Sequence, residues 1–250
     1  MSYKIGILIP STSKGLKCTS YKDTYLYKLF LKSFIKSYDK KYGEKDIHYT
    51  IYVVVDDDDE IYSNEFEKQK IISFIQLVKN VSIQFLSSNG IPKGWVTKMW
   101  NHAFKKAYDD GCDYFYQCGD DIEFLDKEWV IDCIKAMEKN ENTGITGPID
   151  WGREQHKMIT GSGKFILTQT FVSRKHMDNF GFYFPEEIKN WFCDDWITYV
   201  YISKKKYWPI KKRIFNKGGD PRYKPEGKGD EFKPMTEKCM KLIHKYNKCI

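Results

Sequence analysis

Three of the runs of adjacent carboxylates along the chain lie where they could do chemistry. Each doublet needs a cation, a proton or hydrogen bonds to relieve its own repulsion. Asp120 and Asp121 follow the hydrophobic run Asp113-Tyr114-Phe115-Tyr116-Gln117-Cys118. At a strand end such a pair suits a hard divalent ion, Mg²⁺ or Mn²⁺, that bridges two phosphate oxygens. The plainer alternative is a turn cap at Asp120 beside a solvated Asp121. The run Asp56-Asp57-Asp58-Asp59-Glu60 admits a second metal site, a solvated loop, or recognition of a base imide or ribose hydroxyl. Proximity to a strand end favours recognition for Asp56 or Asp57, and a solvent or N-cap role for Asp58 to Glu60. Asp194 and Asp195 are embedded in Asn190-Trp191-Phe192-Cys193-Asp194-Asp195-Trp196. Aromatic walls raise a carboxylate pKa and stack on sugar rings, which suits a general base. The same doublet is also a natural cap for the helix bearing Ile197 and Val200.

Other chemistries have less support. The turn Pro10-Ser11-Thr12-Ser13-Lys14-Gly15 carries one glycine, so neither a Rossmann nor a P-loop fingerprint is present. His48, His102, His156 and His176 have no metal-ligand spacing and read as structural or surface residues. No cysteine lies beside a histidine, and no Ser-His-Asp order stands out.

These groups must be positioned by an alternating chain. Lys4 to Ile9 is a short apolar strand. Asp23 to Tyr38 is helical through Leu26, Leu29, Phe30 and Phe34. Tyr49 to Val55 is a strand running into the aspartates, and Ile71, Phe74, Ile75 and Val78 mark a helix. Val81 to Leu86 is the next strand, and Trp100, Ala103, Phe104 and Ala107 mark the next helix. Tyr114 to Gln117 is a strand, Val130 to Met137 a helix, and Ile145 to Gly147 begins another strand. This β-α-β-α-β-α-β order predicts a parallel sheet with helices on both faces, with ligands beyond the carboxyl ends of its strands. The second half is less regular. Trp151 to Gly163 reads as a mobile loop, Phe165 to Val172 as a strand and Arg174 to Phe180 as a short helix. A further helix begins near Asp194. Asn216 to Pro234 reads as a glycine- and proline-rich flap ahead of a last amphipathic helix through Cys239, Leu242, Ile243 and Tyr246.

The chain of 250 residues carries a net charge of +7. Of its 41 basic residues only Arg153, Arg174, Arg213 and Arg222 are arginines, and lysine is the usual solvated surface filler, so a nucleic-acid surface is not expected. The one dense basic patch is Lys204 to Lys206 with Lys211 to Arg213. Seven cysteines without CxxC spacing suggest a reduced, cytoplasmic protein without structural zinc. No signal-peptide pattern or run of about 20 apolar residues is present, so neither secretion nor a transmembrane segment is expected.

Taken in order, the segments resemble the GT-A fold glycosyltransferases. The resemblance rests on Ile7-Leu8-Ile9-Pro10-Ser11-Thr12, Val53-Val54-Val55-Asp56-Asp57, Gly94 to Asn101, and Gly119-Asp120-Asp121-Ile122-Glu123-Phe124. It continues through Phe171 to Met177, Phe180 to Glu186 and Cys193-Asp194-Asp195-Trp196, covering about Lys4 to Arg222. Several segments also resemble a group of such proteins from large DNA viruses and protists. The resemblance implies an α/β, GT-A-type, Rossmann-like and mostly parallel sheet flanked by helices, in a single domain. Residues 1–215 would form it, with a nucleotide-binding half to about residue 125 and an acceptor half to 215, followed by a C-terminal flap and docking helix at 216–250.

The implied reaction is transfer of a sugar from a nucleotide-sugar donor, a UDP-sugar, to a glycan or protein hydroxyl. Pro10, Ser11, Thr12, Asp56 and Asp57 would hold the uridine, and Lys98 or Asn101 would approach the ribose or diphosphate. Asp121, with Asp120, would hold Mn²⁺ or Mg²⁺. Asp195, with Asp194 beside it, would act as base. Leu167-Thr168-Gln169 would line the sugar pocket, and Arg222 and Tyr223 would close over the diphosphate. Two positions depart from the family's pattern. The first aspartate of its Asp-x-Asp motif is Cys118 or Gly119, and no histidine lies between His176 and His244 to serve as a further metal ligand. Asn216 or Asp220 would substitute. Two rivals remain: a nucleotidyltransferase, which needs a basic turn after the first strand, and a degenerate glycan- or nucleic-acid-binding protein.

Overall fold

The computed structural model describes residues 2–156, 163–218 and 222–250. The first half alternates as the apolar spacing requires. Strand β1 (Tyr3–Ser11) leads through a π-helical turn (Leu26–Leu31) into α1 (Lys32–Ser37), then the hairpin β2 (Lys41–Tyr42) and β3 (Lys45–Val55). Helix α2 (Glu65–Gln76) starts where the Asn64 side chain accepts from the backbone N–H of Phe66 (3.0 Å) and Glu67 (3.3 Å). β4 (Val81–Ser87), α3 (Val96–Asp109) and β5 (Tyr114–Gln117) follow. β6 (Ile122–Phe124), α4 (Trp129–Lys139), β7 (Ile145–Asp150) and α5 (Trp151–Gln155) lead into the second half. There the elements are β8 (Thr170–Ser173), α6 (Lys175–Phe180), α7 (Cys193–Ser203), β9 (Tyr207–Asn216) and α8 (Phe232–Tyr246).

The sheet runs β4-β3-β1-β5-β8-β7-β9-β6, with β2 pairing antiparallel to the start of β3. The block β4-β3-β1-β5 is wholly parallel, as the βαβ order demands. Beyond it β8 runs antiparallel to both β5 and β7, β9 is parallel to β7, and β6 is antiparallel to β9. Side chains alternate across the sheet into two cores. Ile5, Ile7 and Ile9 of β1 face α4 and the turn bearing Phe30, while Leu8 faces α3 and α7. At Gly6 a Cβ would lie 2.9 Å from the Ala107 Cβ, so glycine is what lets α3 sit close on β1. Phe104 of α3 is fully buried, with ring centroids 4.7 Å from Phe115 and 5.0 Å from Tyr183.

The second half corrects several expectations. Phe165 to Gln169 is irregular, and the strand there is only Thr170–Ser173. The region expected as one mobile loop begins with α5. β9 escapes the period-2 pattern because Pro209 and Lys211 to Arg213 interrupt it. Two of its three basic residues are partnered: Lys212 lies 3.6 Å from Glu128 and Arg213 3.3 Å from Asp126. α8 starts inside the expected flap, with Pro234 in its first turn, where a missing N–H has no helical acceptor to lose. No helix among the described residues is long and apolar enough to cross a membrane.

Candidate active site

A cavity of about 780 Å³ opens beyond the carboxyl ends of β1, β3 and β5. This is the place the strand order dictates for a ligand. Pro10, Ser11 and Thr12 form its floor. The Ser11 hydroxyl donates to Asp120 Oδ2 at 2.6 Å and contacts the buried Tyr62 hydroxyl at 2.8 Å. Asp59, expected in a solvent or capping role, is fully buried behind this wall, where it caps the turn at Ile61 and Tyr62. It accepts from Thr12 Oγ1 (2.9 Å), Ser13 N (2.6 Å), Ser13 Oγ (2.7 Å), Ile61 N (3.2 Å) and Tyr62 N (3.1 Å). One carboxylate thus ties the turn after β1 to the loop after β3. Asp56 is half-buried on the cavity wall, 4.0 Å from Lys14, and loss of hydration raises its pKa. Asp57 points outward, accepts from Ser87 Oγ and is not part of the wall. Lys14, the basic residue a nucleotidyltransferase would want free, pairs with Asp58.

The Asp120-Asp121 doublet divides its roles. Asp120 is buried and gripped by Arg222: both its oxygens receive guanidinium N–H groups, one at 3.1 Å, while Arg222 Nη1 also donates to the Thr12 carbonyl at 2.7 Å. Three of the roughly four lone-pair positions of Asp120 are therefore engaged, two by Arg222 and one by Ser11, although Asp120 also lines the cavity. Asp121 faces the cavity. Burial and the neighbouring Asp120 charge push its pKa up to about 6, against the pull of Arg222. A Cβ at Gly218 would lie 1.9 Å from Asp121 Oδ2, so only glycine lets the chain after β9 pass here. The β6–β9 register opposes Asn216 to Ile122, which brings Asn216 to the same wall. Asp220 lies outside the described residues.

Two residues expected at the donor do not line the cavity. Asn101 does not line the cavity; its amide donates to the Phe184 carbonyl (2.8 Å) and accepts from Tyr183 N (3.0 Å) and Phe184 N (2.9 Å). It fixes a loop rather than a ribose. Lys98 is turned away to Glu186 (3.2 Å) and the Trp95 ring. Thr168 and Gln169 line the cavity, but Leu167 is buried in the core. His176 is a core residue between the Tyr201 hydroxyl (2.8 Å) and the Tyr183 carbonyl (3.0 Å), and burial lowers its pKa to about 4.

The second doublet is reversed. Asp194, not Asp195, lines the cavity, because the helix begins at Cys193 and its twist turns successive side chains to different faces. Phe192, in the left-handed region at φ 71°, occupies the cap position, so neither aspartate is the N-cap. Arg153 of α5 holds Asp194 at 2.9 Å. Asp195 is set back among Tyr199 and Cys239, and burial together with Asp194 drives its pKa up to about 7. Arg153 and Asn190 on the wall, and Asp59 buried behind it, are the residues for which the sequence offered no such role.

Among the described residues no group of three or more His, Cys, Asp or Glu is arranged to hold a metal ion. The fit to a divalent ion rests on Asp121 alone. It is a desolvated carboxylate on the cavity wall, and one or two carboxylates plus substrate phosphates suffice for Mg²⁺.

The sheet order, the cavity at the strand ends and the carboxylates on its wall define a GT-A fold. Neither a family model nor a curated protein matches the chain by sequence. Among solved structures, S. aureus TarS 1–349 in complex with UDP is similar, at TM-score 0.58 and 15% identity over 97% of this chain and 65% of that one. A second S. aureus TarS structure gives 0.53 at 14% identity, over 96% of this chain and 39% of that one. Glucosyl-3-phosphoglycerate synthase from Mycobacterium tuberculosis, in complex with Mg²⁺ and UDP, gives 0.55 at 11% identity, over 98% and 79%. The chain thus spans less than two thirds of either TarS structure. At these identities the likeness defines the fold.

Proposed function

We propose that this chain is a glycosyltransferase that moves a sugar from a UDP-sugar to a hydroxyl of a glycan or protein acceptor. The observation that carries this reading is the cavity beyond β1, β3 and β5 of a GT-A sheet, where Asp56, Asp121 and Arg222 share one wall. Its volume suits a nucleoside diphosphate sugar. The UDP bound in structures of similar fold supports the choice of donor.

In this reading Pro10, Ser11 and Asp56 hold the uridine. Arg222, with Tyr223 next to it on the cavity wall, meets the diphosphate. Thr168 and Gln169 meet the sugar. Asp121, with Asn216 on the same wall, holds Mg²⁺ or Mn²⁺, which when bound supplies positive charge to the leaving diphosphate. Asp194 accepts the acceptor's hydroxyl proton, and Arg153 keeps that carboxylate in place. The proposed compartment is the cytoplasm, in keeping with seven free cysteines.

Calorimetry with UDP, GDP and ADP, each in Mg²⁺, Mn²⁺ or EDTA, tests the donor. UDP should bind most tightly, and more tightly with metal. Equal binding of all three nucleotides would remove the donor assignment. A second reading, a catalytically silent binding protein, is favoured by one observation: Arg222 occupies Asp120, leaving one carboxylate of the Asp120-Asp121 doublet for a metal. Slow hydrolysis of a UDP-sugar by the wild type, lost in Asp121→Ala, separates the two.

A further inference from the structure

Most cations on the cavity wall already face a carboxylate. Lys14 and Lys93 meet Asp58, Arg153 meets Asp194, Arg222 meets Asp120, and Lys238 lies 3.5 Å from Glu226. Lys189 and Lys224 break this pattern. Both are exposed, both line the cavity, and neither has an ion pair among the described residues.

Their backbone is nevertheless fixed. Asn190 is buried, and its amide makes all four bonds it can make. It donates to the carbonyls of Gly94 (3.0 Å) and Lys224 (3.3 Å), and it accepts from the N–H groups of Trp191 (2.7 Å) and Glu226 (2.8 Å). The Lys189 N–H donates to Glu226 Oε2 at 2.9 Å, and its carbonyl accepts from Thr97 N at 3.1 Å. Two ammonium groups without an ion pair thus stand on a pinned frame, that of Lys189 lying 5.2 Å from the centre of the Trp95 ring, with Trp191, an exposed ring, between them in the chain. The two acids that share this part of the lining, Glu226 and Glu231, already have partners. Glu226 is engaged by Lys238 and Lys189 N, and Glu231 accepts from Gly227 N at 3.2 Å. Asp194 lies on the wall of the same cavity, so a molecule that reaches it shares the cavity with these two lysines.

We infer that the acceptor carries a phosphate, as a phosphorylated polyol or sugar, and that Lys189 and Lys224 bind that group while Trp191 stacks on the carbon skeleton. A compact dianion matches two ammonium groups better than a neutral hydroxyl compound does. This rests on the reading of the site as a sugar transferase, and it names the acceptor class.

The probe is glycerol 3-phosphate, with glycerol as its neutral twin, titrated calorimetrically at low salt into protein saturated with UDP and into protein without it. The phosphate compound should bind at millimolar levels and glycerol should not. The double variant Lys189→Glu/Lys224→Glu should weaken binding by about tenfold or more, since charge-assisted contacts are lost. Lys189→Gln/Lys224→Gln should fall between the two. No binding at tens of millimolar, or binding indifferent to both double variants, would overturn the inference. So would a matching loss of UDP affinity, because the lysines would then serve the donor. If UDP fails to bind the wild type at all, the donor reading falls. The titration without UDP still decides whether this rim takes phosphate.

Discussion

The two walls of the cavity are built on different principles. On the wall proposed for the donor, polar groups are tied to one another before any ligand arrives. Asp59 alone collects five hydrogen bonds, and Ser11, Tyr62, Asp120 and Arg222 form one continuous chain. On the wall proposed for the acceptor a single buried amide, Asn190, joins three segments, two lysines have no ion pair among the described residues, and Asp195 sits behind Asp194 with a raised pKa. The first wall is a preformed mould, as parallel strand ends allow. The second is assembled from loops and helix starts, where specificity and proton transfer can be tuned without disturbing the sheet. Substitutions in the two walls should therefore fail in different ways.

The largest effect is expected at Asp194. Asp194→Asn keeps the size of the group but cannot take a proton, so turnover should fall by about 10²–10⁴ while UDP affinity stays near that of the wild type. Asp195→Asn should retain most activity, since Asp195 does not line the cavity. Steady-state rates of UDP release measure both. The reverse ranking would return the base role to Asp195 and erase the distinction drawn between the two carboxylates.

On the other wall, Asp121→Ala should weaken UDP binding in Mg²⁺ by about 10–100-fold and leave binding in EDTA nearly unchanged. Asp57→Ala, one residue from Asp56 but outside the cavity, should do neither. If calorimetry gives the same UDP affinity for Asp121→Ala and the wild type in Mg²⁺, the preformed wall works without a metal, and Arg222 is the cation that matters.

Much of the donor wall is legible in the sequence, because strand ends and their aspartates are local features. The period-2 runs end where the polar clusters begin, so Pro10, Ser11, Asp56 and Asp121 can be named from one dimension. What escapes is direction. Nothing in Asp56 to Glu60 says that Asp59 turns inward. Nothing in Asn101 says that its amide meets Tyr183 and Phe184, about 80 residues away. The Asp194-Asp195 reversal turns on where α7 starts, and boundaries are the least reliable part of a sequence reading. One signal was available. In a chain with four arginines among 41 basic residues, each arginine marks a place that needs a fork. Arg153 and Arg222 hold site carboxylates, Arg174 bonds two carbonyls, and Arg213 meets Asp126.

The frame of the acceptor wall can be loosened on its own. Asn190→Ala leaves the Trp191 and Glu226 N–H groups without their acceptor and should cost about 2 kcal/mol. Hydrogen exchange should quicken at residues 222–227 and stay unchanged in β1 and β5. Equal quickening in both places would mean that the two walls are one cooperative unit.

The smallest effect is the one that pH controls. Asp195 has an ordinary value near 3.8 in the unfolded chain and is pushed up to about 7 in the fold, first by burial and then by Asp194. Between those values the folded state binds more protons than the unfolded one, so stability falls as pH rises. Its contribution is fully present below the unfolded value and is lost as pH climbs through about 7. Asp195→Asn removes this titration while Asp121, whose pKa is also raised, keeps its own part in both proteins. The variant should therefore be more stable than the wild type at pH 8, by about 1 kcal/mol, and the gap should close toward pH 4. The gain stays well below what the full shift represents, because Arg153 also screens the pair. Urea midpoints at the two pH values, with unchanged slopes, give the difference directly. A gap of the same size at both would mean that Asp195 is not held near neutrality by the fold, and that the acceptor wall stores no protonation strain behind its base.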